Sequence, residues 1–155
     1  MSSAHPYRVT TRWIGNRGTG TSGYREYDRT VRIEIEGKPD LITSADAAFR
    51  GDRALLNPED MLLSALSQCH LLSYLHACVS RGVVVTSYVD SATAMMAVEG
   101  NGGRFTSATL HPRVTVADAS MVDDALAAHD DAHDWCFIAN SVNFPVSHEA
   151  RVTSS

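Results

Sequence analysis

The segment from Asn57 to Arg81 constrains this chain more than any other. Asn57 is a good N-cap and Pro58 suits the first helical position. Glu59 and Asp60 favour the positive end of a helix dipole, and Gly82 is a natural stop. Between them the residues are apolar nearly all round: Met61, Leu62, Leu63, Ala65, Leu66, Leu71, Leu72 and Leu75. A helix of that kind is buried, not laid on a surface. A chain of 155 residues seldom wraps so long a helix on every side, so an interface between copies is expected.

The flanking segments read as strands. His5 to Ile14 places Tyr7, Val9, Thr11 and Trp13 on one face. Gly15 to Gly23 is glycine-rich but lacks the Gly-Lys-Ser/Thr ending of a phosphate loop, so it reads as a hairpin turn. Tyr24 to Glu36 is the next strand, with Val31, Ile33 and Ile35 alternating with charge; Lys38 to Thr43 is its hairpin partner. After the helix, Val83 to Val98 and Arg104 to Val116 form a hairpin across the turn Glu99 to Gly103. Ser120 and Asp123 make a variant capping box opening a second helix to about Trp135, and Val142 to Val152 is a last strand. Strands, long helix, strands, helix, strand is an α+β order, and the length suits one domain over 1–155.

The net charge of −5 argues against nucleic acid or an anionic membrane as partner, since both need a concentrated basic face. No uninterrupted apolar run approaches the roughly 20 residues of a membrane helix, and the N-terminus lacks the pattern of a secretory signal. Three cysteines are too few, and odd in number, for a disulfide framework. A cytoplasmic location is expected.

In that setting thiols are either core residues or redox groups. Cys69 and Cys78 share the helix at a separation that rises about 13.5 Å and turns them to opposite faces, so they cannot bond. Cys78 is expected in the core. Cys69 is flanked by Gln68 and His70, and Cys136 follows the second helix. Two helices packed about 8–10 Å apart would let these thiols meet. A reactive thiol needs nearby cations or donors; the candidates are Arg50, Arg53 and Arg17.

The run "NPEDMLLSALSQCHLLSYL", Asn57 to Leu75, resembles the Asn-Pro-Glu…Ala…Cys helix of the OsmC/Ohr family of osmotically inducible and organic-hydroperoxide-resistance proteins. "AHDWCFIANSVNFPV", Ala132 to Val146, is similar to the family's second cysteine segment, and "WIGNRGTG" to its first strand and loop. The resemblance implies an OsmC-like fold, with antiparallel sheets around a long buried central helix, and an intertwined homodimer. It implies a cysteine-based hydroperoxide reductase of the stress response, with Cys69 peroxidatic and Cys136 resolving. The substrate would be an organic hydroperoxide, with hydrogen peroxide as a second candidate, and a thiol or dithiol would be the reductant. Glu59 matches the motif glutamate; Arg50 is preferred over Arg17 as the activating arginine. On one helix Glu59 and Cys69 are about 15 Å apart, so Glu59 serves either through a bridging arginine or from a partner chain. No cofactor or metal is expected.

Two other readings compete. His129 and His133, at i and i+4, resemble the spacing of a zinc helix, but the acid between them is Asp and a third ligand is not evident. The other is a non-catalytic OsmC-like stress protein that binds a small hydrophobic ligand beside Cys69. Trp13 and Trp135 read as core packing.

Overall fold

The structure, a computed structural model, describes residues 2–155. The chain divides into two compact units, Met1–Met61 and Leu62–Ser155.

The first unit carries an antiparallel three-stranded sheet: β1 (Thr10–Trp13), β2 (Val31–Glu34) and β3 (Leu41–Thr43), in that order. The strands are shorter than the alternation suggested. Tyr7 and Val9 lie outside β1 and are exposed, and Trp13 is 44% exposed, with its indole N–H donating to the Asp28 carbonyl at 2.8 Å. The glycine-rich segment is a turn, as expected. Gly15 is required there: a Cβ on it would sit 1.9 Å from the Asp28 carbonyl oxygen. The Asn16 carboxamide oxygen accepts from the N–H groups of Gly18 and Gly20 and holds the turn closed.

The first helix, α1, runs Pro58–Ser80 and is capped as its sequence dictates. The Asp60 N–H donates to Asn57 Oδ1 at 2.8 Å, and the Asn57 N–H donates back to Asp60 Oδ2 at 3.3 Å. At the other end Gly82 takes φ +70°, and the Val83 N–H closes on the Cys78 carbonyl at 2.8 Å. Only one face of α1 is buried in the single chain, through Leu66, His70, Tyr74, Ala77 and Cys78. Leu72, Leu75 and Val79 are exposed. By length and composition alone α1 could span a membrane, its best 18-residue window having a mean hydropathy of 1.2. Its buried face instead carries His70 and Tyr74, both hydrogen-bonded to the second helix.

The second unit has two mixed sheets. Strands β4 (Val85–Asp90) and β5 (Thr93–Glu99) occupy the segment expected as one strand, and β6 (Gly102–Leu110) and β7 (Pro112–Val116) occupy the next. β5 and β6 form a hairpin, but β4 pairs with β7 in a separate sheet. The break has a local cause. The His111 N–H is taken by Asp90 Oδ1 at 2.7 Å, and Pro112 has no N–H, so two consecutive ladder donors are missing. The last expected strand divides likewise, into β8 (Val146–His148), parallel to β6, and β9 (Arg151–Ser154), parallel to β7.

The second helix, α2 (Val122–Trp135), is preceded by a 3-10 turn at Ala119–Met121. Its expected cap is corrected: Ser120 does not cap through its hydroxyl. That hydroxyl donates to Asp118 Oδ1 at 2.6 Å, and Asp118 also accepts from the Ser120 N–H. A carboxylate accepts better than a hydroxyl at a helix start. The stripe Ala125, Ala128 and Ala132 lets α2 pack closely on Tyr74, Ala77 and Cys78 of α1 and on Val114 and Val116 of β7.

Candidate functional site

Cys69 lies half-buried in the middle of α1. Cys136 follows α2 as its C-cap, with extended dihedrals of −70° and 105°, and is 1% exposed. The two thiols are near enough to act on each other electrostatically. Burial pushes the Cys136 thiol up to about 11; the adjacent Cys69 adds to the rise, and the Ala139 N–H, 3.4 Å from Sγ, opposes it. Cys136 is therefore a protonated thiol at neutral pH. Cys78 is packed in the core and its thiol is pushed up by burial.

Only one of the paired thiols opens outward. Cys69 lines a cavity of about 680 Å³ together with Leu72, Ser73, His76, Trp135 and Phe137. That volume suits a small organic molecule. The Trp135 indole, 42% exposed, stands over the His76 ring with centroids 5.4 Å apart, so the expectation of core packing is corrected for this residue. As the last residue of α2, it is carried out of the core at the mouth of the cavity. Among the residues lining the cavity there is no arginine.

One residue further along α1, His70 turns into a buried histidine cluster. Its Nε2 is 3.0 Å from Nδ1 of His129, and the His129 ring stacks on Tyr74 at 4.0 Å. His148 flanks both rings, and His133 in turn flanks His148. Burial, reinforced by the neighbouring imidazoles, lowers His70 to about 4 and His129 to about 3. The i, i+4 spacing of His129 and His133 thus serves packing: the His129 Nδ1 is spent on His70. Among the described residues no group of three or more His, Cys, Asp or Glu is placed to hold a metal ion. In the sequence His70 reads only as a polar neighbour of Cys69; a histidine on an apolar helix face is the available signal.

The remaining candidates belong to the first unit. Arg50 is exposed and closes the 3-10 turn Ala47–Phe49 with a left-handed φ of 64°. Arg53 lines a depression of about 480 Å³ with Asp46, Asp52 and Asp60 among its walls. The Arg17 guanidinium donates to the Arg25 carbonyl and pairs with Asp28 at 3.7 Å. Glu59 is half-buried in the first turn of α1, and its Oε2 is buried without a hydrogen-bond partner.

The profile of the OsmC-like protein family matches residues 51–151. The chain belongs to that family. Its α+β fold is that of an OsmC-like protein of unknown function from Vibrio cholerae, with a TM-score of 0.85 and 26% identity over 96% of this chain and 100% of the other. The same fold occurs, at 14% identity and a TM-score of 0.70 over the whole of both chains, in an organic hydroperoxide resistance protein from Elizabethkingia anophelis. A Legionella pneumophila organic hydroperoxide resistance protein shares it at 15% identity and a TM-score of 0.69, over 98% of this chain and 99% of its own. No curated protein matches.

Proposed function

We propose that this OsmC-like protein is a thiol-dependent peroxidase acting on organic hydroperoxides. One observation supports it above the others: two mutually interacting thiols, one lining an apolar cavity and one buried. The Cys69 thiolate attacks the distal peroxide oxygen, the O–O bond breaks, and the alkoxide leaves as the alcohol after taking a proton. Cys69 is then a sulfenic acid. The Cys136 sulfur attacks Cys69, water departs, and a disulfide forms. A dithiol reductant restores both thiols by exchange and is itself oxidised. Burial in Cys136 suits the second step, because a thiol held protonated does not compete for peroxide.

The family resemblance assigns the thiolate's cation to Arg50 and its orienting carboxylate to Glu59; no arginine lines the Cys69 cavity within one chain, so both serve from the partner copy. The apolar stripe of Leu72, Leu75 and Val79 on α1 supports a homodimer as the working form. The protein works in the cytoplasm, where such thiols stay reduced.

The experiment is hydroperoxide consumption by wild type, Cys69→Ser and Cys136→Ser. Cys69→Ser should be inactive. Cys136→Ser should turn over once and stall as a sulfenic acid that dimedone traps. Wild-type rates in Cys69→Ser would refute the proposal.

A further inference from the structure

Far from the thiols in function, the β7-β9 pair of the β4-β7-β9 sheet carries an arrangement that folding alone does not explain. Arg113 of β7 and Arg151 of β9 are direct partners in the parallel ladder. Neighbouring strands lie about 4.8 Å apart and partnered side chains share a face, so two like charges stand together there. Both residues are exposed, and among the described residues neither forms an ion pair. The first unit shows how the same protein treats the same problem. There Arg12 and Arg32 are also direct partners, and each is given an acid, Glu34 at 2.9 Å and Asp40 at 3.8 Å. In a chain with 18 acidic residues and a net charge of −5, an uncompensated arginine pair stands out.

The pair also lines a depression of about 410 Å³ with Ser91, His111 and Glu149. His111 is fixed in it: its Nδ1 donates to the Ser91 carbonyl at 3.0 Å, which turns Nε2 toward Glu149 at 3.7 Å. The one carboxylate in the depression lies nearest the imidazole and pairs with neither guanidinium group.

We infer that this depression binds the phosphate group of a small phosphorylated molecule. Two adjacent guanidinium forks offer paired N–H donors that match the oxygens of a phosphate dianion. The depression has room for that group and a small organic substituent. The inference is independent of the peroxidase reading, since none of its residues lines the Cys69 cavity.

The test is an amide NMR titration of the full chain with inorganic phosphate, at low ionic strength against matched chloride. Saturable shifts are expected at Arg113, Ala150 and Arg151. Arg113→Ala and Arg151→Ala should each bind roughly tenfold more weakly, and the Lys variants should also weaken, since a point charge lacks the fork. Arg104→Ala, on the other sheet, should bind as wild type does, and Glu149→Gln should bind more tightly. Without phosphate, Arg151→Ala should be at least as stable as wild type. Equal shifts with chloride, unchanged binding in both alanine variants, or tighter binding of succinate than of phosphate would overturn the inference.

Discussion

Nε2 of His70 and Nδ1 of His129 lie 3.0 Å apart and tie α1 to α2 inside the core. Both rings are at most 2% exposed. Burial of the two rings, reinforced by the neighbouring imidazoles, makes the stability of the protein depend on pH. The two imidazoles titrate near 4 and 3 when folded, against 6.5 when unfolded. The unfolded chain therefore takes up protons first as pH falls, so stability is full above about 6.5 and is lost progressively down toward 4. For His70 alone the loss is at most roughly 3 kcal/mol at 1.36 kcal/mol per unit. Urea midpoints at pH 7.5 and 5.0 should show a marked drop in wild type and a shallower one in His70→Leu. Equal drops would remove the cluster as the cause.

Tyr74 is fully buried and its hydroxyl donates to the Ala125 carbonyl at 3.0 Å. Tyr74→Phe should cost about 0.5–1.5 kcal/mol. Tyr74→Ala should cost about 3–5 kcal/mol, because it empties the contact with His129 and the alanine stripe. Chemical denaturation of the two variants separates the hydroxyl from the ring.

The ends of α1 give two smaller effects. Asn57→Ala removes the acceptor for the Asp60 N–H and should cost about 1 kcal/mol. Gly82→Ala should cost roughly 1–2 kcal/mol through backbone conformation alone, since no atom lies within 4 Å of the added methyl. Both would appear as lower melting temperatures without change in the Cys69 cavity.

Thiol accessibility should follow the geometry. Iodoacetamide added to the native protein should label Cys69 first, while Cys78 and Cys136, each 1% exposed, should react only on unfolding. Peptide mass mapping over time checks the order. Early labelling of Cys136 would mean that the α2 terminus opens readily.

Local chemistry was legible in the sequence. The caps of α1, the glycine turn and the two helices follow from residue types within a few positions of each other, as with Asn57 and Asp60. Where the strands divide was not legible. The break between β6 and β7 depends on Asp90 reaching His111, 21 positions away, and periodicity carries no trace of that contact. The second helix start failed for a similar reason: Asp118 and Ser120 both suit a cap, and the carboxylate won. At the candidate site, the pairing of Cys69 with Cys136 could be anticipated as a geometric allowance. The roles of His76, Trp135 and Phe137 as cavity walls could not, because which face of α1 stays uncovered is set by the placement of α2.

The parallel pairing of β8 with β6 and of β9 with β7 has a consequence for how the molecule is made. Each of these two sheets receives its third strand from the stretch between Val146 and Ser154. Neither can be finished while that stretch is still inside the ribosome. The growing polypeptide must therefore hold a hairpin, two helices and two open sheet edges in waiting. Contacts so distant along the chain form slowly, and the unpaired edges are what a chaperone would meet during that interval.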